Sequence, residues 1–202
     1  MKKALWMLLI ALTLGSTFAF AEEAQAPAAG SEKEKKMAEM KKYTEPNENH
    51  KALEPLIGNF KAKCSFWMDP AGQPEVSEGA SNNHWIMGGR FVQQDYKGTA
   101  MGQPFEGMGI TGYDLIKAEY TSIWLDSMVT GIMVSSGQMD ASTKTLNQSG
   151  TMSCPMTMEK AREMKSALTI TDADHHTYVG LMKDKDGKEF KGMEITYERV
   201  KA

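Results

Sequence analysis

Only two cysteines, Cys64 and Cys154, occur in this chain of 202 residues, too few for a disulfide framework. Beyond residues 4–14 no apolar run comes near the ~20 residues a helix needs to span a bilayer. Ligand spacing is missing too. The histidines His50, His84, His175 and His176 contain no H-x-x-x-H pair. Asp184-Lys185-Asp186-Gly187 lacks the flanking acids of a calcium loop. There is no Gly-x-Ser-x-Gly elbow and no Cys/His pair in catalytic context, so nothing points to a nucleophilic enzyme. Nor is there an excess of positive charge. The formal charge is -3, with acids scattered singly, which argues against nucleic acid and anionic membrane as partners.

What is present begins with Lys2-Lys3, the apolar run Ala4–Leu14 and then Ala19-Phe20-Ala21. This pattern predicts a secretory signal peptide over residues 1–21, cleaved after Ala21, and a periplasmic or secreted protein. Cleavage removes two lysines and no acid, leaving 21 basic against 26 acidic residues, a formal charge of -5. Residues 22–31 have the small, polar composition of a linker. Residues 32–42 are helix-prone, but Met37 and Met40 are their only apolar positions, so a solvated helix is expected. Residues 22–48 thus read as a flexible segment. Asn47 is placed to cap a short helix that ends before Pro55.

Residues 49–202 read as one domain of about ten short strands. Alternating segments are expected near 57–68, 76–86, 91–96, 105–112, 120–126, 132–138, 145–152, 165–171, 177–182 and 190–200. Turn chemistry separates them at Asp69-Pro70-Ala71-Gly72, Lys97-Gly98-Thr99, Met101-Gly102-Gln103-Pro104, Ser142-Thr143-Lys144, Asp172-Ala173-Asp174 and Asp186-Gly187, the last in type I′ form. His175-His176 fall where a turn with exposed imidazoles is expected. The fold class is all-β, a single antiparallel β-barrel. A barrel is preferred to a sandwich because several segments carry polar residues on both faces, as in Tyr120-Ser122-Trp124-Asp126 against Thr121-Ile123-Leu125, and a partly wet lumen accepts them. Gly107-Met108-Gly109-Ile110-Thr111-Gly112 spells a dinucleotide fingerprint. It is followed by a turn and a strand rather than a helix, so nucleotide binding is set aside.

Two resemblances follow from these residues. Gly58-Asn59-Phe60, with Arg199 in the last strand, resembles the calycin barrels, in which an arginine lies over the aromatic ring of that motif. More extensively, Trp85-x-x-Gly88-Gly89-Arg90-Phe91 and Met101–Gly107 resemble the bacterial domain of unknown function 1579 family. Gly112-Tyr113-Asp114, Trp124-x-Asp126-Ser127-Met128 and Met193-Glu194-Ile195-Thr196-Tyr197-x-Arg199 extend the likeness. The resemblance implies a β-barrel with no agreed activity, and Gly58, Phe60, Trp85, Gly88, Gly89, Gly112, Asp114 and Arg199 as structural positions.

The function this pattern favours is binding of a small, partly apolar ligand in the lumen or mouth. Arg90, Tyr113, Trp124, Asp126 and Glu194 are the candidate contacts, being large or charged yet inside strand patterns. The alternative for each is structural: Arg90 paired with an acid, Trp124 in the core. No cofactor is called for. Cys64 and Cys154 fit either one disulfide or two separate buried thiols. Two other functional readings stand beside ligand binding. One is an envelope interaction protein with a filled barrel. The other is a copper carrier built on Met152-Ser153-Cys154-Pro155-Met156-Thr157-Met158, since soft sulfur suits Cu(I), though methionine also fills core gaps.

Overall fold

A computed structural model describes residues 30–155 and 157–201. The expected signal peptide and residues 22–29 of the linker lie outside the described residues. Helix α1, Glu32–Lys41, buries none of its residues. It starts in a reciprocal cap: Ser31 Oγ accepts from Glu34 N, and Glu34 Oε2 accepts from Ser31 N. Its all-round polarity gives it no face to bury, as the sequence predicts.

The remainder is built of α2 (Glu48–Lys51), a 3-10 turn (Glu54–Leu56) and ten strands. These are β1 (Gly58–Phe66), β2 (Glu75–Ile86), β3 (Phe91–Ala100), β4 (Gln103–Asp114), β5 (Glu119–Asp126), β6 (Met133–Asp140), β7 (Thr145–Cys154), β8 (Glu159–Ile170), β9 (His175–Lys183) and β10 (Glu189–Arg199). Each strand pairs antiparallel with its neighbours in sequence, and β10 returns to pair with β1, closing the barrel. The ten expected segments all appear.

Aspartate makes most of the turns. Six of the nine hairpins begin at an Asp whose Oδ1 accepts the backbone N–H two residues on, at Asp69, Asp114, Asp126, Asp140, Asp172 and Asp184. Hydrogen bonds within the turns hold three of these carboxyls below the usual carboxylate range: from Lys117 N and Ile116 N on Asp114, from the Ser142 hydroxyl and N on Asp140, and from Asp174 N on Asp172. Three turn expectations are corrected. Lys97-Gly98-Thr99 continues β3, and the reversal falls wholly on Met101-Gly102, at φ 51° and 72°. Asp186-Gly187 is not a two-residue turn; only Gly187 takes positive φ in the longer loop between β9 and β10. His176 is not exposed, being only 3 % accessible, because β9 starts two residues earlier than expected and the alternation turns it inward.

One end of the barrel is plugged. Leu53 and Leu56 are buried with Val92, Tyr120, Leu146 and Ile170, and four side chains from three strands fasten the segment that carries them. Tyr120 donates to Asn49 O at 2.9 Å, Asn83 Nδ2 to Leu56 O at 2.8 Å, and Trp85 Nε1 to Glu54 Oε2 at 2.8 Å. Arg199 donates to the carbonyls of Pro55, Ile57 and Ala173, pairs with Asp174 at 3.3 Å, and lies 4.6 Å from the Phe60 ring centre. Gly58 makes room for it: at φ 126° it suits no L side chain, and a Cβ would collide with the guanidinium.

If this plug carries the closed end, Leu53→Ala costs about 2–5 kcal/mol of unfolding free energy, the usual loss for a fully buried leucine. Urea denaturation of the variant measures it, and a loss well under 1 kcal/mol contradicts the packing described.

Candidate functional site

Above the plug the interior opens into a cavity of about 460 Å³. That is room for a small organic ligand. The strand pleat builds its wall, since alternate residues of each strand face inward. A second cluster joins Phe60, Ala62, Tyr96 and Tyr197 to Phe105, Trp124, Tyr178 and Ile195. Within it Phe105 stacks on Trp124 at 6.5 Å and 18°, and Tyr96 meets Phe105 edge-on at 5.8 Å. The result is an aromatic wall across β3, β4 and β5. It depends on glycine. A Cβ on Gly107 would run into the Trp124 indole, and one on Gly109 would lie 3.2 Å from Trp124 Cε3. The Gly-x-Gly run is therefore the groove that seats the indole, which explains a fingerprint without a nucleotide.

Polar side chains share the interior. Thr111 Oγ1 and Ser122 Oγ lie 2.9 Å apart, and Ser122 donates to Gln148 Oε1 at 3.1 Å. Gln94 hydrogen-bonds the Tyr197 phenol, which burial keeps protonated. His176 lies between rings, edge-on to Phe60 at 4.6 Å and stacked on Tyr197 at 4.3 Å. Burial, reinforced by the nearby Arg199 charge, pushes its pKa down to about 4, so it is neutral at pH 7. Three buried polar atoms of inward-facing residues have no hydrogen-bond partner among the described residues: Ser81 Oγ, Asn83 Oδ1 and Gln148 Nε2.

Of the five candidate contacts, Trp124 and Asp126 come together at the cavity, the indole Nε1 donating to Asp126 Oδ2 at 3.0 Å. The other three lie outside its lining. Arg90 reaches the carbonyls of Thr44 and Met87 at the plugged end. Tyr113 packs there against His50 and Tyr120. Glu194 faces outward, one residue out of phase with Met193 and Ile195, and pairs with Lys191 at 2.7 Å. The structural positions cluster at the plugged end: Gly88 and Gly89 take positive φ in the β2–β3 turn, and Gly112 packs against the Phe91 ring.

Cys64 and Cys154 both line the cavity as thiols rather than as one disulfide. Their strands stand four places apart around the sheet. At ~4.8 Å per place, that is far beyond the span of an S–S bridge. Burial pushes the Cys64 thiol up, away from a reactive thiolate. Of the sulfur-rich run, Met152 and Cys154 face the cavity, whereas Met158 is 82 % exposed.

The residues missed from sequence are His176, Asn83 and Gln148. Each keeps step with an apolar residue two positions away (Tyr178, Trp85 and Leu146), and extending the alternation by one step would have found them.

The family model described as "Protein of unknown function (DUF1579)" matches residues 45–199. No curated protein matches the chain. Among solved structures, Rv2717c from M. tuberculosis is 16% identical with a TM-score of 0.59, over 78% of this chain and 100% of that one. The S-type phycobiliprotein lyase CPES from Guillardia theta is 12% identical with a TM-score of 0.52, over 81% of this chain and 98% of that one. Both likenesses are of fold.

The buried imidazole sets a pH dependence. Unfolding returns His176 to its ordinary value of 6.5, so between pH 6.5 and about 4 the unfolded chain binds the extra proton. This contribution is whole above pH 6.5 and falls away towards pH 4, about 3 kcal/mol at most. Urea midpoints at pH 7.5 and 4.5 should diverge in the wild type and draw together in His176→Phe. An equal pH slope in both proteins refutes the assignment.

Proposed function

The chain belongs to this family of proteins of unknown function, and from its own geometry we propose an exported barrel that binds a small, partly apolar molecule in its lumen. The observation that carries the reading is the cavity of about 460 Å³ behind a plugged floor. It is apolar over most of its wall and holds a few fixed polar groups, the usual make-up of a ligand site. The phycobiliprotein lyase among the similar barrels lends the fold alone; the substrate of this chain is read from this chain. Export rests on Lys2-Lys3, the apolar run after them and the small residues at 19 and 21, which support a periplasmic or secreted location.

In this reading Trp124 is the aromatic contact and Asp126 fixes its edge. Arg90 and Tyr113 brace the plugged end instead, and Glu194 makes a surface ion pair within β10. The methionines of the wall, Met133, Met152 and Met193 among them, let it adapt to an irregular ligand, since the thioether chain is flexible and polarizable. The filled-barrel reading is disfavoured by the hollow itself. The copper reading is disfavoured by Met158, which points away from Met152 and Cys154.

Titration of the purified barrel with fatty acids, haem and hydrophobic dyes tests the proposal. Saturable binding of at least one, with quenching of Trp124 fluorescence, is expected. In Trp124→Phe the quenching shrinks while dye displacement persists. Absence of saturable binding across the whole panel sinks the reading.

A further inference from the structure

Away from its mouth the lumen carries neutral polar groups, and two of them, on opposite walls, have bonding capacity unused. Asn83, on β2, is 4 % accessible; its Nδ2 is committed to Leu56 O, which leaves Oδ1 as an acceptor without a donor. Gln148, on β7, takes a hydrogen bond from Ser122 on Oε1, and its Nε2 is a buried donor without an acceptor. Both residues line the same cavity. Around the ten-strand ring β2 and β7 are five places apart in either direction, so the two atoms belong to opposite walls. A buried amide group left unbonded is costly and rare in native proteins.

The charges that border the cavity are elsewhere. Glu75, Asp126, Arg162 and Glu163 lie toward the strand ends that run into loops 67–74, 127–132 and 155–158. Those loops are at the end away from the plug. Deeper in, the lining offers hydroxyls, amides and the neutral His176 ring, below the flat wall of Phe105 and Trp124, which stands toward the mouth.

We propose that the lumen takes an uncharged, planar ring molecule with a hydrogen-bond acceptor at one edge, for Gln148 Nε2, and a donor at the opposite edge, for Asn83 Oδ1. This rests on the lumen being a binding site and adds the class of its ligand. A carboxylate carried to that depth would lose its hydration and meet no cation in the lining, Arg199 behind it being already paired with Asp174. An unsubstituted hydrocarbon would leave both amides unbonded.

Three matched probes test it by calorimetry on the folded protein: 2,6-dihydroxynaphthalene, naphthalene and naphthalene-2,6-dicarboxylate. The diol should bind tighter than naphthalene by roughly tenfold for each hydrogen bond gained, and the dicarboxylate weakest. Gln148→Met should erase about one such factor for the diol and leave naphthalene affinity unchanged. Should that variant fail to fold, Gln148→Glu, which keeps an oxygen for Ser122, replaces it, and the wild-type ranking decides by itself. Naphthalene equal to the diol, or the dicarboxylate tightest, overturns the ligand class while leaving the lumen a binding site. If none of the probes and no hydrophobic dye binds, it is the binding site itself that fails.

Discussion

Arg199 is the residue on which the architecture turns. Its guanidinium ties together two stretches far apart in sequence: residues 55–60 entering β1, through their carbonyls and the Phe60 ring, and the 173–174 turn. A planar cation with five donors can serve so many acceptors at once, which an ammonium cannot. With that clasp in place the 47–57 segment sits as a floor, and Leu53 and Leu56 have somewhere to be buried. The floor is what turns a tube into a vessel.

Once one end is sealed, the character of the inside becomes a matter of side-chain size. Glycine at 107 and 109 lets an indole lie flat against β4 instead of filling the middle of the barrel. Hydroxyls and amides on β2, β4, β5 and β7 add polarity without charge. Aromatic flatness on one side and neutral polarity around it are complementary constraints on whatever enters.

Much of this could be read from the residues. The ten strands follow from a period of two, and the Arg199–Phe60 contact from the Gly58-Asn59-Phe60 motif. Aspartate marked the turns at Asp69 and Asp172, whereas those opened by Asp126 and Asp140 carried no such signal. Other features resist such reading. When polar residues occur on both faces of a segment, periodicity names the strand but not its inner side, so Glu194 passed for a lumen residue while Gln148 did not. His176 was assigned to a turn because Asp172 and Asp174 precede it, yet the Asp172 carboxylate ends that turn early and starts the strand. Arg90 and Tyr113 looked functional for the reason they are structural: both are large groups held within strand patterns, and a floor needs such groups as much as a ligand does.

The seam between β1 and β10 has its own implication. Phe60 stands opposite Arg199, so the first strand cannot find its partner until the last one exists. Before that moment both margins of the sheet are bare, and bare margins are where chains stick to one another. Joining positions so distant is slow, because the entropy of the intervening chain must be surrendered first. The barrel stays open until its tenth strand is available, and that strand acts as the latch.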